Sequence, residues 1–267
     1  MKIATFNVNS VRARLEILDR WLKTACPDLL FLQELKTRDE FFPEIFFNEL
    51  GYKSYYHGEK NYNGVGVLIK NENKILEDAK INFGFDENNN DDAENFATRV
   101  LVMRNKNFTI LNTYVPQGKE VDAPEFKIKL KFFGLVKNFI SRELDNNKNF
   151  IWLGDMNVAP EPIDVKHPET KKHNVCFCDE IRECYKNVRD GLELIDIFRE
   201  FNKNPDEYTF YDYRYKKSLE QKAGWRIDHI LTTQEFSKRF LNCYIDLEPR
   251  LWDKPSDHTP LVAELEI

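Results

Sequence analysis

The sequence predicts an α/β protein in which two mixed β-sheets stack face to face with helices outside. Three observations predict it. Short apolar runs of strand length alternate with stretches whose apolar residues recur at helical spacing. Their order is not a simple strand–helix–strand repeat, which excludes a purely parallel sheet. Several of the runs are apolar at consecutive positions, as strands covered on both faces are. With 267 residues, 42% of them hydrophobic, the chain can form one large core, and no linker or internal repeat interrupts it, so residues 1–267 are read as a single domain.

Strands are predicted at 2–6, 29–32, 65–69, 100–103, 108–114, 150–153, 227–231 and 261–267. The first helix is expected at 14–24, where Leu15, Leu18, Trp21 and Leu22 return every three or four residues. A second, at 124–146, carries Phe126, Leu130, Phe133, Val136 and Ile140 on one stripe. Asn71-Glu72-Asn73 after the 65–69 run and Arg104-Asn105-Lys106-Asn107 after the 100–103 run read as hairpin turns, so part of each sheet is expected to be antiparallel. The acidic, Asn-rich segment 86–94 reads as an exposed loop.

Composition narrows the function. No apolar run is long enough to span a bilayer, and the chain enters a strand pattern at Lys2 without a signal peptide's basic and apolar preamble. Five cysteines, an odd number, fit reduced thiols better than a disulfide framework, so a cytoplasmic, membrane-free protein is expected. The net charge of -6 weighs mildly against a nucleic-acid partner. An acidic metal site would itself supply several of those charges. The basic clusters at Arg12 and Arg14, at Lys166, Lys171 and Lys172, and from Arg214 to Arg226 read singly as solvated surface.

The polar residues at strand ends are more telling. Asn7 closes the first strand, Glu34 follows the second, Tyr114 closes the 108–114 run, and Asp155 and Asn157 follow 150–153. Asp228 lies in Trp225-Arg226-Ile227-Asp228-His229, whereas Asp257 and His258 precede the last strand. If that strand runs antiparallel to its neighbours, all these groups share one cleft. Carboxylates so gathered repel unless a cation lies among them. Glu34, Asp257, Asn7, Asp155 and Asn157 offer oxygen only, which favours Mg²⁺, with Mn²⁺ as a substitute, over zinc. Asp155 and Asn157, two apart on a strand-like exit, are expected to point the same way and grip one water, the carboxylate as general base. His258 and Asp228 form a second pair, in which the acid sets the tautomer or charge of a ring that donates to a phosphoryl oxygen. Tyr114 can add a further hydrogen bond.

The sequence resembles the exonuclease III family of abasic-site endonucleases, within the endonuclease/exonuclease/phosphatase superfamily. The resemblance spans nearly the whole chain. Its carriers are Thr5-Phe6-Asn7-Val8-Asn9, Leu32-Gln33-Glu34-Leu35-Lys36, Tyr62-Asn63-Gly64-Val65-Gly66, Asn112-Thr113-Tyr114-Val115-Pro116-Gln117-Gly118, Gly154-Asp155-Met156-Asn157, Gly224-Trp225-Arg226-Ile227-Asp228 and Ser256-Asp257-His258-Thr259-Pro260. It implies a four-layer α/β sandwich and Mg²⁺-dependent cleavage of DNA on the 5′ side of abasic sites, with 3′-5′ exonuclease and 3′-phosphodiesterase or phosphatase activity. The implied partner is double-stranded DNA with abasic sites or blocked 3′ ends, and the implied state a monomer. By position, Glu34 and Asp257 look like metal ligands, Asp155 and Asn157 like the water-activating pair, and Tyr114, Asp228 and His258 like phosphate-binding groups.

The same resemblance assigns Phe210, Tyr211 and Trp225 to a pocket that admits a flipped-out sugar lacking its base, and Asn174, Arg99 and Gln117 to DNA contacts. The chain departs from the family pattern at Asn174-Val175-Cys176-Phe177, at Ala97-Thr98-Arg99 and at the Phe210-Tyr211 pair. Cys176, Cys178 and Cys184, with His173, do not follow a standard zinc spacing. The competing readings are a phosphatase or phospholipase-like member of the superfamily, and a catalytically silent DNA-binding relative.

Overall fold

The computed structural model describes residues 1–85 and 96–267; the loop expected at 86–94 lies outside the described residues. The strands, in chain order, are β1 (Lys2–Asn7), β2 (Leu29–Gln33), β3 (Tyr52–Glu59), β4 (Tyr62–Lys70), β5 (Lys80–Phe83), β6 (Val100–Arg104), β7 (Thr109–Tyr114), β8 (Phe150–Asp155), β9 (Leu194–Asp196), β10 (Asp228–Thr233), β11 (Phe240–Ile245) and β12 (Leu261–Leu265). The helices are α1 (Leu15–Ala25), α2 (Glu44–Glu49), α3 (Pro124–Asn146), α4 (Asp179–Arg189), α5 (Ile197–Phe201) and α6 (Gln234–Ser237).

They build two six-stranded sheets, ordered β11-β12-β1-β2-β4-β3 and β5-β6-β7-β8-β10-β9. The same pairing recurs in both. β12/β1 is antiparallel, β1/β2 parallel, and β2/β4 and β4/β3 antiparallel. In the second sheet β10/β8 is antiparallel, β8/β7 parallel, and β7/β6 and β6/β5 antiparallel. The sequence shows no repeat, so the symmetry lives in the backbone alone.

Both sheets bury their inner faces in one core, in which Ile3, Phe31 and Val67 of the first meet Leu101, Ile110, Ile151 and Ile230 of the second. The outer faces are covered by helices. Ile17, Leu18, Trp21 and Leu22 of α1 and Phe47 of α2 cover the first sheet. Phe126, Phe133, Val136 and Ile140 of α3, with Ile181, Tyr185 and Val188 of α4, cover the second. The result is four layers, helix on sheet on sheet on helix. A buried polar stitch joins the sheets: Gln33 Nε2 donates to Thr5 Oγ1 (2.9 Å) and Asn112 Oδ1 (2.7 Å), and Asn112 Nδ2 to Leu32 O (3.2 Å).

The predicted strands all form, and α3 has the predicted bounds. β3, β5, β9 and β11 are additions. One expected hairpin is corrected: β4 turns back on β3 before it, and Asn71-Glu72-Asn73 leads instead to a short 3-10 turn (Lys74–Glu77) and on to β5 in the other sheet. The hairpin at Arg104 to Asn107 forms as β6/β7. Among the described residues, no helix is long and apolar enough to cross a membrane.

Candidate active site

Two parallel strand pairs, one in each sheet, end at the same rim of the sandwich, and each is flanked by an antiparallel strand that starts there. In the first sheet Asn7 pairs with Gln33 at the ends of β1 and β2, and β12 begins just after Asp257 and His258. In the second, Tyr114 lies beside Asp155 at the ends of β7 and β8, and Asp155 faces Asp228 at the start of β10. Gly154 makes this approach possible. Its φ is +129°, and a Cβ there would sit 2.1 Å from Thr113 O.

A cleft of about 680 Å³ opens at this rim, lined among others by Glu34, Tyr114, Asp155, Asn157, Asp257 and His258. Asn7 lies beneath it, buried, and its Nδ2 donates to both Glu34 Oε1 (2.9 Å) and Asp155 Oδ2 (2.8 Å). Its Oδ1 accepts from the Asn9 amide (3.0 Å), so Asn7 turns its nitrogen to the two carboxylates and bridges them. Glu34 sits in the left-handed region, φ +53°, immediately after β2, and Lys36, φ +51°, folds back so that its Nζ pairs with Glu34 Oε2 (2.6 Å) and donates to Asn9 Oδ1 (2.6 Å). Asn9 Nδ2 in turn donates to Asp257 Oδ1 (2.9 Å).

His258 Nδ1 and Asp228 Oδ2 lie 2.8 Å apart, which leaves Nε2 facing Asp155 Oδ2 at 3.8 Å. Burial opposes the charge on His258, but Asp228 and Asp155 outweigh it and push its pKa up to about 10. Burial raises Asp155 to about 7 against the pull of His258, with Asp228 and Glu34 adding to the rise. Glu34 falls below the usual carboxylate range despite its burial, because Lys36 and Asn7 favour its charged form. Burial, with Glu34 and Asp155 nearby, holds Tyr114 far above the usual phenol range and so keeps it a neutral hydrogen-bond donor.

Asn157 departs from expectation. The exit from β8 is not extended there: φ is +50°, so Asp155 and Asn157 do not share a strand face. The turn instead makes the Asn157 amide donate to Asp155 Oδ1 (2.9 Å), while Nδ2 donates to Val115 O (3.0 Å). Its Oδ1 is left toward the cleft, and its hydrogen-bond partner among the described residues is the Cys176 thiol, at 3.9 Å.

One wall of the cleft is aromatic. Phe210 bridges to Trp225 and His258 through its backbone, and its ring stands edge-on to the imidazole at 5.0 Å. Tyr211 is not part of that wall. As the next residue on an extended segment it points inward, 3% exposed and edge-on to Tyr208, while Tyr213 returns to the cleft. Asn174 and Gln117 line the cleft. Asn174 Oδ1 accepts from the Cys176 amide (2.8 Å). Arg99 lies in the adjoining groove of about 730 Å³, its guanidinium 4.6 Å above the Tyr114 ring and donating to Tyr114 O.

Among the described residues, Glu34, Asp155 and His258 are the group of His, Cys, Asp and Glu whose ligand atoms lie within 4.8 Å of one another. Asp257 lines the same cleft without joining that group. A protonated imidazole is no ligand, so the donors that remain are oxygens, as a hard divalent ion requires. Cys176, Cys178 and Cys184 form no such group.

Sequence reasoning missed Lys36 and Asn9, whose motif positions beside Glu34 and Asn7 were visible but whose side chains carried no separate signal. It also misplaced Arg226, read as solvated surface. The residue is fully buried, its Nε on Asp164 Oδ1 (2.7 Å) and Nη2 on Asp196 Oδ2 (2.7 Å).

A profile of the Endonuclease/Exonuclease/phosphatase family matches residues 4–258. The exodeoxyribonuclease III of Haemophilus influenzae is 34% identical over the full length of both chains. An AP endonuclease from Archaeoglobus fulgidus superposes over all of both chains with a TM-score of 0.91 and 39% identity. The 3′ phosphatase NExo from Neisseria, solved with a product DNA hairpin, does so with 0.88 and 30%. With its polar strand ends gathered at one rim and these proteins matching it end to end, the chain is a hydrolytic nuclease of the endonuclease/exonuclease/phosphatase family, in its exodeoxyribonuclease III group.

Proposed function

We propose that the protein is a Mg²⁺-dependent DNA repair nuclease. It hydrolyses the phosphodiester on the 5′ side of abasic sites and trims or deblocks 3′ ends through 3′-5′ exonuclease and 3′-phosphodiesterase or phosphatase activity. The carrying observation is the bridge from Asn7 to both Glu34 and Asp155, with the His258–Asp228 pair opposite, in a cleft walled by Phe210 and Trp225. The end-to-end likeness to exodeoxyribonuclease III and AP endonuclease chains supports the choice of DNA.

Glu34 and Asp257 would hold the metal, with Asp155 and Asn157 Oδ1 within the same cleft. Bound there, Mg²⁺ supplies charge to a phosphoryl oxygen and to the leaving 3′ oxygen. Asp155 takes the proton of the attacking water, and the Asn157 amide fixes Asp155 Oδ1 so that the other oxygen stays directed into the cleft. The His258 imidazolium, held by Asp228, donates to the phosphoryl oxygen, and neutral Tyr114 adds a second donor. Phe210 and Trp225 would receive the extruded sugar, a step that costs least where no base is stacked. We place the protein in the cytoplasm as a monomer.

The test is a duplex carrying one synthetic abasic site, incubated with Mg²⁺, with Mn²⁺ and with chelator. Incision 5′ to the site that requires metal is expected. Incision that survives chelation, or phosphate release only from lipid or inositol headgroups, would overturn the reading.

A further inference from the structure

Lys129 lies on α3 with its side chain wholly buried, and among the described residues its bonds are to backbone carbonyls and not to a carboxylate. Its Nζ donates to Gln117 O (3.1 Å), Asn157 O (2.8 Å) and Val175 O (2.6 Å), which uses all the donors an ammonium has. Burying an ammonium is costly, and a neutral residue would leave three carbonyls facing an apolar interior. The three acceptors belong to three stretches of chain: the start of the connection after β7, and the beginning and the end of the long connection from β8 to α4. Each stretch lines the cleft, through Gln117, through Asn157, and through Lys171, Asn174 and Cys176.

The consequence is sharpest at Asn157. Its left-handed backbone directs its carbonyl back to Lys129 while its N–H holds Asp155 Oδ1 at 2.9 Å. Gly118 closes the arrangement from the other side. It has φ +96°, and a Cβ there would press on Lys129 Cδ and Phe126 at 3.2 Å, so glycine lets the loop lie against the lysine stem.

We propose that Lys129 is a positioning residue: one buried ammonium fastens three cleft-forming segments together and sets the Asn157 turn that aims Asp155. It touches neither substrate nor metal. The proposal rests on the nuclease reading for its kinetic arm only.

The test compares Lys129→Met, which keeps the stem and removes the donors, with Lys129→Arg and with Val136→Ala, a cavity variant on the same helix. Hydrogen exchange read by mass spectrometry needs no substrate. In Lys129→Met the segments around residues 117, 157 and 175 are expected to exchange at least about tenfold faster together, while β1 and β2 keep their protection. Turnover of the abasic duplex per folded molecule should fall on the order of 10²-fold with KM changed far less, since a misplaced catalytic group costs about that much. Lys129→Arg should recover part of the rate, and Val136→Ala should lose stability without losing turnover.

Lys129→Gln, which retains two donors, replaces the methionine variant if that chain does not fold. Uniformly faster exchange across the protein, or an unchanged turnover per folded molecule, would overturn the proposal. A wild-type protein that leaves the abasic duplex intact while the three segments loosen in the variant would count against the nuclease reading and in favour of this one.

Discussion

Two buried groups of charge flank β8 and β10, and they are wired in opposite ways. In the first, Arg226 joins Asp164 and Asp196, Arg199 adds a second bond to Asp164 (2.5 Å), and Arg226 Nη1 and His229 Nδ1 lie 2.9 Å apart. His229 Nε2 and Val158 O, 2.8 Å apart, complete a set in which guanidinium and carboxylate are matched. Despite burial, Arg226 and Arg199 hold Asp164 below the usual carboxylate range, and Arg226 and His229 do the same for Asp196. In the second, at the cleft, the ion pairs that Glu34, Asp155, Asp228 and Asp257 make among the described residues are with His258 and Lys36, and Arg99, Lys129 and Arg250 act on them from further away. Burial lifts Asp155 to about 7, and Asp228 Oδ1 is buried with no hydrogen-bond partner.

The strand pleat separates the two. Asp228 faces the cleft, and His229, the next residue on β10, faces the matched group. The difference teaches which burial of charge is structure and which is chemistry. A balanced cluster is complete as folded, whereas an unbalanced one is stable only in part until a cation arrives.

The comparison can be broken at either end. The largest expected effect is at the cleft: Asp155→Asn should lower turnover on the order of 10⁴-fold, with DNA affinity nearly intact and the urea midpoint the same or higher. A variant that turns over at wild-type rate, or that unfolds much more readily, would contradict the contrast. Next comes the matched group. Arg226→Met leaves two carboxylates buried without their cation and should cost about 3–5 kcal/mol in urea unfolding, while turnover per folded molecule changes less than about tenfold. A loss well under 1 kcal/mol would mean that the network contributes little.

The smallest effect is in pH, and it has opposite signs in the two clusters. Asp164 and Asp196 have depressed folded pKa values. Their contribution is therefore present above the unfolded value, about 3.9, and lost as pH falls through the folded one. The stability gap between wild type and Arg226→Met should thus hold at pH 5 and close only in stronger acid. Asp155 is raised to about 7, so its cost is full above that pH and vanishes below the unfolded value. The advantage of Asp155→Asn should shrink between pH 8 and 4. Urea midpoints from pH 8 down to about pH 2 check both.

Much of this was legible in the sequence, for a physical reason. Phe150-Ile151-Trp152-Leu153 is buried on both faces, and a strand of that kind is apolar throughout, so its end is conspicuous where Asp155 appears. β3 was missed because His57, Gly58 and Glu59 interrupt its partly exposed pattern, and β11 because its exposed positions, Leu241 among them, break the alternation. α4 was missed although Ile181, Tyr185 and Val188 recur at helical spacing on an otherwise charged segment. In the site, strand ends carried the information and loops did not. The left-handed turn at Asn157, the inward Tyr211 and the three-segment clasp of Lys129 depend on backbone torsions and on contacts between distant segments, which no local pattern encodes. Arg226 was misjudged because a motif arginine among lysines looks solvated until its two acids, far apart in sequence, are brought to it.

The central claim is that the cleft's surplus of negative charge is a site for a hard divalent ion. Calorimetric titration of Mg²⁺ into the DNA-free protein tests it most directly, with Glu34→Gln as the comparison. Saturable binding in the wild type that is lost or weakened at least about tenfold in Glu34→Gln is the expected result. Binding of equal strength in both, or none in the wild type at millimolar Mg²⁺, would contradict the account.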